Sequence, residues 1–111
     1  MFNFFKKKCN HTSYKMEAEI HADPIWCAKC GENLDIEDFP FSQELKEELF
    51  KWVRQYGKIL EESDYGAHIK EETHNSIREH NDKGLILFNK VKQELGENSN
   101  IEYVPSTLQR K

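Results

Sequence analysis

The sequence predicts an α+β fold: a small β unit, two antiparallel α-helices packed on it, and a short C-terminal strand. Three observations carry this. Tyr14 to His21 alternate apolar and polar with a period of two, as a half-buried strand does. From Ser42 the apolar residues recur at three and four, apart from one turn, as far as Leu95, which is the repeat of an α-helix. Between these regions, Trp26 to Ser42 carries a Cys27-Ala28-Lys29-Cys30-Gly31 knuckle and ends on a serine suited to cap a helix. The expected division is a β unit over residues 1–40 and a two-helix unit with its strand over 41–111, together forming one compact domain.

The 111 residues are 37% hydrophobic and 32% charged, so the core must be small. Seven Phe, four Tyr and two Trp offset this, because each ring buries more area than an aliphatic side chain. A net charge of -4 supplies no general attraction for a nucleic-acid backbone. No apolar run approaches the ~20 residues of a membrane span. In Met1 to Lys8 the lysines follow the apolar residues, the reverse of a secretion signal, so a cytoplasmic chain is expected. The run Lys6-Lys7-Lys8 is expected to be solvated. Three cysteines cannot all pair internally, and in a reducing compartment a Cys-x-x-Cys spacing favours metal over disulfide.

The candidate ligands form two short pairs. Cys9 and His11 lie two residues apart, and Cys27 and Cys30 three apart with Gly31 following. Two chelating pairs on separate turns supply the four donors of a tetrahedral zinc site at low entropic cost. Gly31 suits a knuckle that needs positive φ. With all four positions filled by protein, the expected Zn²⁺ is structural and not catalytic. His21 is an alternative ligand to His11. Redox use of Cys27 and Cys30 calls for a helix opened within a βαβ pattern, which is absent here. The arrangement over residues 9 to 31 resembles the small zinc ribbons of bacterial and phage proteins.

The elements follow in order. Tyr14, Met16, Ala18 and Ile20 share one face of the first strand, and Asp23-Pro24 closes it. Trp26 is expected beneath the metal site, and Asn33 to Ile36 as a second short strand. Leu45, Leu49, Trp52, Val53, Tyr56, Ile59 and Leu60 make one stripe of a helix from Ser42 to about Glu62, with Phe50 off the stripe and facing the β unit. Thr73, Ile77, His80 or Asn81, Gly84, Phe88, Val91 and Leu95 make a second stripe, predicting a helix over about 67–95. Gly84 costs about 1 kcal/mol in a helix interior, so its place on the stripe implies close approach of the first helix. Gly96 stops the helix, and Ile101 to Val104 reads as the last strand.

The second helix also carries His68, Glu71, Glu72, His74, Glu79 and His80. The histidines are six residues apart and point about 240° from one another, so no pair can share a metal. Glu71 and His74 match half of a di-iron carboxylate pattern whose second half is missing. A solvated face is expected and no enzyme: there is no phosphate-binding glycine loop and no nucleophile elbow.

Trp26, the run Asn33 to Ser42, Leu45, Leu49, Trp52, Tyr56, Gly84, Val91, Glu94-Leu95-Gly96 and Ile101 to Val104 resemble a layout shared by many small, uncharacterised bacterial proteins. The resemblance implies caps, a stripe, a stop and a strand, and carries no functional residue. Its members often lack the cysteines, which makes the metal unit an addition here. The expectation is a small cytoplasmic zinc-binding interaction or regulatory module with a protein partner. The alternatives are an immunity or antitoxin protein, whose acidic surface suits a basic toxin, and a nucleic-acid-binding zinc ribbon.

Overall fold

The computed structural model describes residues 9–107; the lysine run at 6–8 lies outside them. Three short strands, β1 (Tyr14–Met16), β2 (Ile25–Cys27) and β3 (Ile101–Tyr103), accompany two helices, α1 (Gln43–Glu62) and α2 (Glu71–Leu95). The fold is α+β, as expected.

The sheet has the order β2-β1-β3. β1 pairs antiparallel with β2, Tyr14 opposite Cys27 and Met16 opposite Ile25. It pairs parallel with β3, Tyr14 opposite Ile101 and Met16 opposite Tyr103. The first strand is shorter than its alternation suggested. Alternate burial persists through Met16 and Ala18, but the ladder stops because the chain turns at Ile20-His21, where His21 adopts φ +60°. The second strand forms at 25–27, where Pro24, Ile25 and Cys27 are all buried. The expected strand at 33–36 does not form. The Asn33 side chain accepts from the Asp23 amide (3.0 Å) and donates to the Asp23 carbonyl (2.8 Å), leaving Asn33 one isolated bridge to Trp26. The Asp35 carboxylate then caps a short 3₁₀ turn over Ile36–Asp38 by accepting from the Glu37 amide. Trp26 shares the face of Lys15, is half-buried there, and donates its indole N–H to the Glu17 carbonyl (3.0 Å).

α1 starts where its cap predicts: the Ser42 hydroxyl accepts from the Leu45 amide at 3.1 Å. Its buried residues are Leu45, Leu49, Trp52, Val53, Tyr56 and Ile59. α2 runs antiparallel to it. Ser42 meets Glu94, Glu48 meets Lys90, and the Trp52 and Tyr56 rings meet His80. α2 begins four residues later than the stripe suggested. Buried Ser63 takes up the next turn, its carbonyl accepting from Gly66 and His68, while Asp64, Tyr65 and Gly66 all adopt positive φ. Leu87, off the expected stripe, is fully buried.

The core joins both parts of the chain. Met16, Ala18, Ile25 and Ile36 pack with Leu45, Leu49, Trp52, Leu87, Val91 and Ile101 in one cluster. At its centre lies Gly84. The Trp52 indole N–H donates to the His80 carbonyl (2.9 Å) and the Tyr103 hydroxyl to the Asn81 carbonyl (2.8 Å), so both rings lie across the helix where Gly84 lacks a side chain. A Cβ there would come within 2.6 Å of Trp52 Cζ2 and closer still to the Tyr103 hydroxyl.

Replacing Gly84 with Ala is therefore expected to cost about 1–3 kcal/mol through overpacking, although alanine is the better helix former by about 1 kcal/mol. Gly57 in α1 has open space around its Cβ position, so Gly57→Ala should instead stabilise by up to about 1 kcal/mol. Urea denaturation of the two variants reads opposite signs; equal signs would refute the close-approach account.

Candidate metal centre

Antiparallel pairing of β1 and β2 brings the two halves of the Cys/His set together. Cys9 and His11 precede β1, Cys27 ends β2, and Tyr14 pairs with Cys27, so both ligand pairs lie at one end of the hairpin. Two amide bonds close the knuckle, Gly31 N–H to the Cys27 carbonyl (2.9 Å) and Cys27 N–H to the Glu32 carbonyl (2.9 Å). Gly31 takes φ +81°, a conformation glycine adopts without a Cβ penalty.

One donor atom from each of Cys9, His11, Cys27 and Cys30 lies within 4.8 Å of all the others, and the group can hold a metal ion. Cys9 Sγ and Cys27 Sγ are 3.5 Å apart, and Cys30 Sγ and His11 Nδ1 3.8 Å apart. The other ring nitrogen of His11, Nε2, stands 3.7 Å from a Glu32 carboxylate oxygen, beyond hydrogen-bond reach. Amides of Cys30 and His11 point at Cys27 Sγ and Cys9 Sγ, each at 3.5 Å. The Cys30 amide and the His11 ring hold the Cys27 thiol down to about 6, favouring the thiolate that binds metals. At Cys30 the Glu32 amide lowers the thiol, but desolvation and the Cys27 and Cys9 sulfurs outweigh it and the net shift is upward. His21 is exposed on the loop at the opposite end of the hairpin and is not among the clustered donors.

The ionisable groups of the second helical stretch do not converge. His68, Glu71, Glu72, His74 and Glu79 are exposed. His80, expected with them on a solvated face, is instead fully buried. Its ring stacks on Trp52 at 4.7 Å and lies 5.6 Å from Tyr56. Neither ring nitrogen has a hydrogen-bond partner among the described residues, and burial alone lowers its pKa to about 4. The three-and-four period marked position 80 as inward, and its polar identity concealed that. A catalytic imidazole needs a partner to exchange protons with, and this one faces aromatic carbon.

No helix among the described residues is long and apolar enough to cross a membrane. A family model described as "Serratia CdiI immunity protein-like" matches residues 12–106. Comparison with curated proteins finds no match.

Burial of His80 makes stability depend on pH. The unfolded imidazole protonates near 6.5 and the folded one only near 4, so between these values the unfolded state binds more protons. Stability is complete above about pH 6.5 and falls as pH drops toward 4. At pH 4.5 the loss from this group amounts to about 2–3 kcal/mol. Urea denaturation at pH 7.5 and 4.5 should show that increment removed in His80→Phe, which keeps the stacking ring. An unchanged pH dependence would disprove it.

Proposed function

The chain belongs to the Serratia CdiI immunity protein-like family, and from that membership we propose that it is an immunity protein that neutralises a toxin by binding it. The observation that carries this is the extent of the match, which takes in both helices and all three strands. It favours the immunity alternative over a general regulatory module. The partner is a protein, and the chain acts in the cytoplasm as a binder and not as an enzyme, in keeping with the scattered ionisable groups of α2. A net charge of -4 weighs against nucleic acid as the partner. Residues 1–40 and 41–111 act as one cooperative unit, supported by the single cluster that joins Met16, Ile25 and Ile36 to the helices.

Within this reading, Cys9, His11, Cys27 and Cys30 hold one Zn²⁺ that stabilises the hairpin. Three sulfurs and one imidazole nitrogen suit zinc, and a tetrahedron with Zn–S bonds of ~2.3 Å and a Zn–N bond of ~2.0 Å separates its donors by about 3.5–3.8 Å. The Cys9–Cys27 and Cys30–His11 separations, 3.5 and 3.8 Å, lie within about 0.3 Å of the tetrahedral values, ~3.8 Å for two sulfurs and ~3.5 Å for sulfur and nitrogen. Four protein donors leave no open position, so the ion's contribution is to folding.

Two measurements test these statements. Expression of a toxin-like open reading frame adjoining the gene should arrest growth, and co-expression of this chain should restore it and yield a complex on purification. Arrest that persists would overturn the immunity reading. Protein purified without chelator should contain about one zinc per chain, and EDTA or Cys27→Ser should lower its melting temperature by more than about 10 °C. Identical melting with and without EDTA would end the zinc assignment.

A further inference from the structure

The sheet has two edges, β2 and β3, and they differ. Along β2 the outward backbone groups are taken: the Ile25 carbonyl accepts from the Leu34 amide and the Cys27 amide donates to the Glu32 carbonyl, each at 2.9 Å. Along β3 they are without partners among the described residues. We propose that the free edge of β3 is the toxin-docking surface, and that it receives an extended segment of the partner's backbone as a fourth strand. The inference rests on the immunity reading and adds to it the site and the mode of contact.

Pairing with β1 decides which groups are free. The Asn100 carbonyl accepts from the Tyr14 amide at 2.8 Å, and the Val104 amide donates to the Met16 carbonyl at 2.9 Å. Backbone bonding alternates along a strand, so Glu102 also turns its amide and carbonyl to β1, whereas Ile101 and Tyr103 turn theirs away. Exposed Glu102 and half-buried Tyr103 are the reachable part of the edge; Ile101 is buried because its side chain lies in the core. Unpaired edge amides and carbonyls are matched by another extended backbone. That selects the kind of segment: main-chain bonds hold it, and its alternating side chains set the register.

α2 supplies a wall beside this edge. Tyr103 meets the helix at Asn81, whose carbonyl accepts from its hydroxyl, and at Phe88, whose ring lies 5.8 Å away. Leu85 stands four residues after Asn81 and three before Phe88, so it shares their side of the helix. Round the helix from His80, which packs on α1, come Gly84, then Phe88 and Asn81 against β3, and then Leu85. Leu85 is 50% exposed, and it stands past β3, on the side where an inward side chain of a fourth strand would lie. Asp82 and Asn89, its neighbours toward solvent, are exposed and polar, so the apolar contact extends to one side chain of the incoming strand.

A second copy of this chain could supply an edge of the same kind, and its register disfavours it. An antiparallel two-fold pairing in which both Ile101 and Tyr103 exchange bonds places Glu102 opposite Glu102. Moving the register either way brings in Pro105, which has no amide, or Ser99, whose amide already bonds the Gly96 carbonyl. Like charges directly opposite are unfavourable. Lys15, the neighbour of Glu102 on β1, is paired with Glu17 at 3.3 Å. The edge therefore suits a strand from a different chain.

The test is amide hydrogen exchange, read by NMR on the full chain alone and with the purified product of the adjoining toxin-like gene. In the free chain the Tyr103 amide should exchange quickly and the Glu102 amide slowly. In the complex the Tyr103 amide should slow by about tenfold or more. By calorimetry, Leu85→Asp should weaken binding by about tenfold or more, and Ile86→Asp, on the side of α2 away from the sheet and 55% exposed, by less than about threefold. Both side chains are exposed, and circular dichroism should show wild-type spectra. An unchanged Tyr103 amide in the complex, or undiminished binding by Leu85→Asp, overturns the docking site and leaves the immunity reading intact. A Tyr103 amide protected in the free chain, together with a dimer in sedimentation, overturns it in favour of a second copy. Absence of any complex with the wild-type chain overturns both readings.

Discussion

Everything in this fold converges on the contact at Gly84. Trp52 and Tyr103 come from opposite sides to lie across α2 and donate to the carbonyls of His80 and Asn81. A side chain at position 84 would occupy the same space. The contact joins α1, α2 and β3 at one point, although Trp52 and Tyr103 lie far apart in the chain. The Asn81 side chain extends it, accepting from the Ser106 amide and donating to the Ser106 carbonyl at 2.8 and 2.9 Å. A helix interior that tolerates glycine gives up about 1 kcal/mol of intrinsic propensity; here the loss is offset by one buried and one part-buried hydrogen bond and by aromatic packing. His80 accepts the same compromise, its ring packed against two aromatic side chains and both nitrogens without a partner among the described residues.

The β unit depends on that core and contributes to it. Strands of three residues do not persist alone in water, and each strand here has only three. They are held because Met16, Ile25 and Ile101 point into the helical cluster, and because β3, coming after both helices, supplies the second edge of β1. The Cys/His set lies at the hairpin end where Cys9 and His11 lead into β1, so an ion bound there would fasten the start of the chain to the end of β2. Side-chain hydrogen bonds do related work without a ladder: the Asn33 amide bonds the Asp23 backbone, and the Asp23 carboxylate accepts from the Ile36 amide. Side-chain bonding thus makes up part of the strand length that this β unit lacks, and an ion held by the Cys/His set would add to it.

A small polar chain has limited surface to devote to recognition. The exterior mixes charges of both signs, and several of its cations are paired with neighbouring glutamates. The groove between the hairpin loop and α1 follows the same pattern, with Arg54 and Lys58 beside Asp23 and Glu61.

The α-helical part was legible because its information is local. Ser42 as the cap, the stripe from Leu45 to Ile59, the stop at Gly96 and the close approach implied by Gly84 follow from period, capping chemistry and the absence of a Cβ, and the structure places each as expected. The Cys/His donors were legible as residue types and spacings. That His11 and not His21 stands with the cysteines was decided by the hairpin, whose register puts the two histidines at opposite ends. The second strand was misplaced, since Asn33 and Asp35 spend their side chains on loop and turn amides, a competition invisible to alternation. The start of α2 was displaced because buried Ser63 claims the amides of Gly66 and His68. His80 was misjudged since a polar residue on an apolar stripe does not declare whether it is buried. Period and capping act within a few residues and so belong to the sequence; register, burial of a polar ring and the meeting of Trp52 with Tyr103 depend on segments far apart in the chain, and only the tertiary structure decided them.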